Sequence, residues 1–228
     1  MLRRLKLRAD GEPKKSVSKS EFLNVITLVY IVLIIAANVM ASKVVLLFGF
    51  LIDAGTLTYP FTFLIGDVLS EIFGYKQARK TILLGFGANL AFSFFALVGT
   101  FFAASETAVE LSAAYDLLFS YNIRILAASF AGYIAGSLLN AASLIWIRKL
   151  TGKKYLALRT VGSTAIGALA DTLIFTFAAW AFTVPLADML AMAATSYVVK
   201  MIFETVIATP IDYLLIPVVK KVIKDESA

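Results

Sequence analysis

The chain has 228 residues, of which 60% are hydrophobic and 16% charged, with a formal net charge of +6. Soluble domains carry about 25% charged residues, so this balance and a mean hydropathy of +0.86 indicate a polytopic membrane protein with almost no room for a soluble domain. Cysteine and histidine are absent, which excludes disulfides, thiol catalysis and Cys-ligated metals and removes the commonest general base and zinc ligand.

Residues 1–20 carry seven basic side chains, from Arg3 to Lys19, among Gly11, Pro13 and three serines. This segment reads as a basic tail (residues 1–21) rather than a cleaved signal peptide, because the apolar run after it is too long. A transmembrane domain follows over 22–218, and a short tail over 219–228. The fold class expected is all-α, with six transmembrane helices at about 22–42, 59–74, 79–103, 118–147, 161–184 and 190–218. Between the first two, Lys43–Thr58 is apolar but broken by Gly49, Asp53 and Gly55, and is expected to be re-entrant or extended and packed on protein.

The basic residues alternate along this plan. The N-terminal tail, the 74–80 turn, the 148–160 loop and the C-terminus together hold eighteen of 21, whereas loop 104–117 has none and carries Glu106, Glu110 and Asp116. That pattern predicts both termini in the cytoplasm and accounts for the net charge without nucleic acid. Of the three left over, Lys43 and Arg124 are expected to snorkel to the interface. Lys200 lies too deep in the last span to do so.

The stretch Pro60–Lys80 puts Asp67 and Glu71 into an apolar run. Positions four apart share one face of a helix, so both carboxylates point the same way. The helix they occupy is short, roughly 22 Å at ~1.5 Å per residue. It is therefore a poor lipid anchor and a candidate wall of a binding site. Asp171 on the fifth span, Lys200 and Glu204 on the sixth, and the amides of Asn38 and Asn140 complete an intramembrane polar set. Each mid-membrane charge costs about 2.5–3.5 kcal/mol on insertion scales, so these groups are expected to converge on a protein interior or wet cavity. Lys200 and Glu204, four apart, also fit a purely structural ion pair. Asp67, Glu71 and Asp171 outnumber the cations near them, so protons or a ligand's donors must meet some of them. Phe63 and Tyr59, on the same short helix, are candidates to stack on a planar substrate. A short echo links Ile65–Phe73 (IGDVLSEIF) with Leu169–Phe175 (LADTLIF), which raises the prospect of two inverted three-helix repeats.

Several blocks resemble the queuosine precursor transporter family of bacterial inner-membrane proteins, also described as vitamin uptake transporters. They are Asn38–Lys43 (NVMASK), Pro60–Glu71 (PFTFLIGDVLSE) with Gly74–Arg79 (GYKQAR), and Arg124–Ser129 (RILAAS). Further along come Asn140, then Arg159–Thr164 ahead of Asp171–Phe175, then Lys200 and Thr209-Pro210. The resemblance runs over roughly 24–220. Thr160-Val161 departs from it, standing where two Asn-like positions are common. The resemblance implies import of 7-deazaguanine bases, preQ0 and preQ1, through the inner membrane for modification of tRNA. It implies no cofactor and no enzymatic activity. A carboxylate can accept the two adjacent N–H donors of a guanine-like edge, so Asp67 and Asp171 are the expected base acceptors. Glu71 or Glu204 is expected at the amine of preQ1 or in proton cycling, and Lys200 in charge balance, with Asn38, Asn140 and Phe63 also lining the site.

Two rival readings are weaker. The substrate-capturing subunit of an energy-coupling-factor vitamin transporter is similarly small and six-spanned, but needs an ATPase module as partner. This chain has no Gly-Lys-Ser/Thr phosphate loop of its own. An intramembrane aspartyl protease would use Asp67 and Asp171, yet Leu64 and Ala170 stand where its glycine and tyrosine belong. The expected partners are thus a small-molecule base and the lipid bilayer. A homodimer is compatible with the sequence, which carries no signature for it.

Overall fold

The computed structural model describes residues 17–151 and 156–224. The expected basic tail lies outside them up to residue 16, as do 152–155 of the basic loop and 225–228 of the C-terminal tail. A two-residue strand β1 (Val17–Ser18) leads into helix α1 (Lys19–Met40). Ser18 starts that helix with a reciprocal cap: its Oγ accepts from Glu21 N at 3.2 Å, and Glu21 Oε2 accepts from Ser18 N at 3.1 Å. Two of the donors that a helix start leaves unmatched are satisfied this way.

The all-α expectation gives way to two short strand pairs, the larger of them in the linker after α1. Strands β2 (Val44–Leu47) and β3 (Phe50–Asp53) form an antiparallel hairpin in the expected extended segment. Its two-residue loop, Phe48-Gly49, has φ of 50° and 85°, the double left-handed geometry that fits the twist of a tight hairpin. Glycine adopts it freely, whereas Phe48 does so at a cost of about 1–2 kcal/mol. Asp53 ends the hairpin and caps a 3₁₀ turn, Ala54–Leu57, accepting from Thr56 N at 3.0 Å and Thr56 Oγ1 at 2.8 Å.

Helix α2 (Tyr59–Phe73) opens with Pro60 in its first turn, where the missing N–H has no partner to lose. Gly74, at φ 84°, breaks it and lets α3 (Tyr75–Gly99) begin at once. Helices α4 (Val109–Thr151), α5 (Leu156–Trp180) and α6 (Leu186–Ile202) follow. A π-helical turn, Phe203–Ala208, joins α6 to α7 (Thr209–Val222). The last strand, β4 (Ile223–Lys224), pairs in parallel with β1 and sets the two ends of the described chain side by side.

Among the described residues, five helical segments are long and apolar enough to cross a membrane: 19–40, 75–99, 109–151, 161–180 and 186–208. The sixth expected span is α2, whose 15 residues cover about 22 Å at 1.5 Å per residue. That falls short of the ~30 Å hydrocarbon core. Large apolar side chains such as Leu28, Val32, Leu90 and Phe95 lie exposed on the outer faces, as on helices that meet lipid. Inside, Tyr30, Ile34, Phe86 and Leu126 pack α1, α3 and α4 together. Ile125, Ala128, Trp180 and Met192 form a second core towards the hairpin.

Helices α4 and α5 make the most extensive pairing in the chain, and glycines permit it. A Cβ on Gly136 would stand 2.8 Å from Asp171 Cβ and Gly167 O, and one on Gly167 would stand 2.7 Å from Asn140 Cβ. Arg124 does not simply snorkel. Its Nε donates to Ala178 O at 2.8 Å and its Nη2 to Ala181 O at 2.6 Å, closing off carbonyls that the end of α5 leaves without helical partners.

Gly167→Val should add about 1–3 kcal/mol of overpacking strain and lower the melting temperature in detergent, while Gly87→Ala, with nothing within 4 Å of the added carbon, should melt as wild type. Arg124→Ala removes two charge-assisted bonds worth about 1.5–3 kcal/mol each, and the same melting measurement should show a loss at least as large as that of Gly167→Val.

Candidate functional site

Two cavities lie end to end inside the helices. The one on the hairpin side is lined by Asn38 of α1, Asp53 at the end of β3, Thr56 of the 3₁₀ turn, Ser129 of α4 and Ser196 of α6. The other, the larger of the two, lies towards the end of the bundle that carries Lys76, Arg79 and Lys80. Its lining includes Phe63 and Asp67 of α2, Tyr133 and Asn140 of α4, Thr164 of α5 and Glu204 of the π-helical turn.

Three residues line both cavities: Tyr59, Asp171 and Lys200. Lys200 Nζ donates to Asp171 Oδ2 at 2.7 Å and to Thr172 Oγ1 at 3.2 Å. The same ammonium sits 5.3 Å from the centroid of the Tyr59 ring, within cation–π range. The side chains of Lys200 and Asp171 are only 10% and 13% exposed, so their mutual attraction is little screened by water. Asp171 fits against α4 because that helix offers glycine opposite it. A Cβ on Gly132 would come within 2.8 Å of Asp171 Oδ1.

Seven of the eight residues expected from sequence line one cavity or both. Asn38 is on the hairpin side; Asp67, Asn140, Glu204 and Phe63 are in the larger cavity; Asp171 and Lys200 are shared. The eighth, Glu71, stands apart. It is half exposed and accepts from Lys220 Nζ at 2.7 Å, tying α2 to α7 beyond the cavities. Lys200, four residues from Glu204, reaches across to α5 for Asp171. The two aspartates of the short sequence echo, Asp67 and Asp171, line the same cavity.

Sequence reasoning missed the hairpin contribution. Asp53 was legible only as a break in an apolar linker, yet it is buried and its partner Thr56 meets Ser196 Oγ at 3.1 Å. It also missed the hydroxyls of Ser129, Thr172 and Ser196, which are too common in membrane helices to stand out. Asn38 spends its amide N–H on Ile34 O at 2.9 Å, and its backbone carbonyl accepts from Asn122 Nδ2 at 3.3 Å. Asn122 in turn accepts from Ser93 Oγ at 2.9 Å, joining α1, α3 and α4 by a buried polar seam.

Chemically, this site offers carboxylates to N–H donors, hydroxyls to either kind of partner and aromatic faces to a planar ring. Among the described residues that line it, Asp53, Asp67, Asp171 and Glu204 are acidic and Lys200 is basic. Among the described residues, no group of three or more acidic side chains is arranged to hold a metal ion.

The family model described as "Putative vitamin uptake transporter" matches residues 53–215. A "Probable queuosine precursor transporter" of Bacillus subtilis (strain 168) is 30% identical over 167 residues, covering 73% of this chain and 72% of the relative. A "Queuosine precursor transporter" of Escherichia coli (strain K12) is 27% identical over 206 residues, 89% of this chain and 90% of the relative. A Haemophilus influenzae protein of the same description as the Bacillus one is 34% identical over 128 residues, 56% of this chain and 52% of the relative. No solved structure matches the chain. The matched span takes in Asp53, the lining of the larger cavity and the shared Asp171–Lys200 pair, and the chain belongs to this family of vitamin uptake transporters.

Proposed function

We propose that this protein imports a queuosine precursor, the 7-deazaguanine base preQ0 or preQ1, across the bacterial inner membrane. The observation that carries this reading is the meeting of two cavities at one carboxylate, one ammonium and one aromatic ring. Sites approachable from both sides, built around buried charge near mid-membrane, are what alternating access requires. In this reading the chain crosses the membrane six times, with α2 as a short crossing shielded by its neighbours. The side-by-side pairing of β1 and β4 supports it, because an even number of crossings brings both ends to one side. The basic loops place that side in the cytoplasm. The larger cavity then opens inward and the hairpin-side cavity outward.

The base lies against Tyr59 and Phe63, whose rings meet edge to face with centroids 5.2 Å apart. Asp171 accepts the adjacent N–H donors of its guanine-like edge, and Asp67 receives the same edge as the base moves inward. Asn38 on the outer side and Asn140 on the inner side supply amide contacts to the ring's polar atoms. Glu204 faces the cationic amine of preQ1. Glu71, paired with Lys220, holds α2 against α7 and acts on the substrate only through that link.

Uptake of labelled preQ1 into membrane vesicles tests this reading. Asp171→Asn removes the acceptor of two charge-assisted hydrogen bonds, each worth about 1.5–3 kcal/mol, and should lower uptake at least tenfold at equal protein level. Asp67→Asn should lower it as well, and Glu71→Gln by much less. Unchanged uptake in both aspartate variants would refute the assignment of the site.

A further inference from the structure

We propose that Lys200 is a tethered occupant of the base-binding site: its ammonium holds the place of the substrate's N–H donors on Asp171, leaves when the base binds, and returns to expel it. The inference rests on the reading of Asp171 as the base acceptor and goes beyond it. It makes Lys200 a competitor of the substrate rather than one of its ligands.

Three contacts carry it. The ammonium meets a carboxylate oxygen of Asp171 at 2.7 Å, the hydroxyl of Thr172 at 3.2 Å, and the ring of Tyr59 at 5.3 Å from the centroid. A carboxylate, a hydroxyl and an aromatic face are the groups that an aminated planar heterocycle would use. Lys200 therefore fills the position such a ring needs. A base cannot engage Asp171 Oδ2 and lie on Tyr59 while the ammonium remains.

The site also gives the displaced ammonium somewhere to go. Lys200 lines both cavities, and carboxylates line each of them beyond Asp171: Asp53 on the hairpin side, Asp67 and Glu204 on the other. The lysine stem is flexible, and its charge is a compact point that pairs with a carboxylate from many directions. Its backbone lies three residues before the π-helical turn Phe203–Ala208, a kind of irregularity that recurs where helices move or bind ligands. A lysine serving only to neutralise Asp171 would need neither the aromatic face nor access to both cavities.

A competitor and a ligand predict opposite effects of removing the ammonium. If the free site is closed by the pair most of the time, opening it permanently raises apparent affinity by about tenfold. Binding of preQ1 and of preQ0 to detergent-purified full-length protein should be measured for the wild type, Lys200→Met and Lys200→Arg. Lys200→Met should bind the bases about tenfold tighter yet import them more slowly, since nothing returns to Asp171 to drive release. Lys200→Arg keeps the charge but clamps the carboxylate with a planar fork, and should bind them more weakly than wild type. Should Lys200→Met prove unstable, the Arg variant alone decides, and wild-type affinity in it overturns the proposal. Weaker binding by folded Lys200→Met would also overturn it and make Lys200 a direct ligand. No binding of either base by the wild type would instead remove the substrate assignment, and this inference with it.

Discussion

The Asp171–Lys200 ion pair is the constraint around which the other elements are arranged. An isolated charge at mid-membrane costs about 2.5–3.5 kcal/mol on insertion scales, and breaking a buried pair by deleting one partner costs about 3–5 kcal/mol. The pair is therefore held from several sides at once. Glycines of α4 leave room for Asp171 on α5, Thr172 gives the ammonium a second acceptor, and Tyr59 covers it from the start of α2. Each of these features would be a defect elsewhere. Glycine weakens a helix, and a 15-residue helix spans a bilayer poorly. Together they keep two opposite charges in contact between two cavities.

The rest of the structure fixes that arrangement from its edges. At one end the hairpin folds back through Asp53 and Thr56 onto Ser196, joining the turn before α2 to α6. At the other, Glu71 and Lys220 join α2 to α7 across their exposed surfaces. Exposed pairs of this kind contribute little to stability, so their value lies in keeping α2 in register with the final helix. The seam of Ser93, Asn122 and Asn38 does the corresponding work for α1, α3 and α4. Polar contacts thus set the relative positions of helices whose outer faces are apolar and nearly interchangeable.

Much of this was legible in the sequence, and for identifiable reasons. Charges in apolar runs are rare, so Asp67, Asp171, Lys200 and Glu204 stood out and are found lining the cavities. The shortness of α2 followed from Pro60 and Gly74. What could not be read were choices among similar partners. Lys200 has Glu204 one turn away in its own helix, and only the tertiary packing of α5 brings Asp171 within 2.7 Å. Glu71 shares a helical face with Asp67, but one further turn carries it past the cavity to meet Lys220. The hairpin was hidden because Lys43–Thr58 is apolar without alternation, so only its glycines and Asp53 marked it. Arg124 sat at the predicted depth for snorkelling, yet the end of α5 supplies carbonyls that bind it more specifically than interface water would.

The most direct test of the central claim is restoration of queuosine in tRNA. The protein would be expressed in cells that can neither make nor import the precursor bases, each base fed at low concentration, and queuosine in tRNA measured. The account predicts that preQ0 or preQ1 restores queuosine and that Asp171→Asn at equal membrane level abolishes it. Absence of queuosine with abundant, correctly inserted wild-type protein would contradict the account.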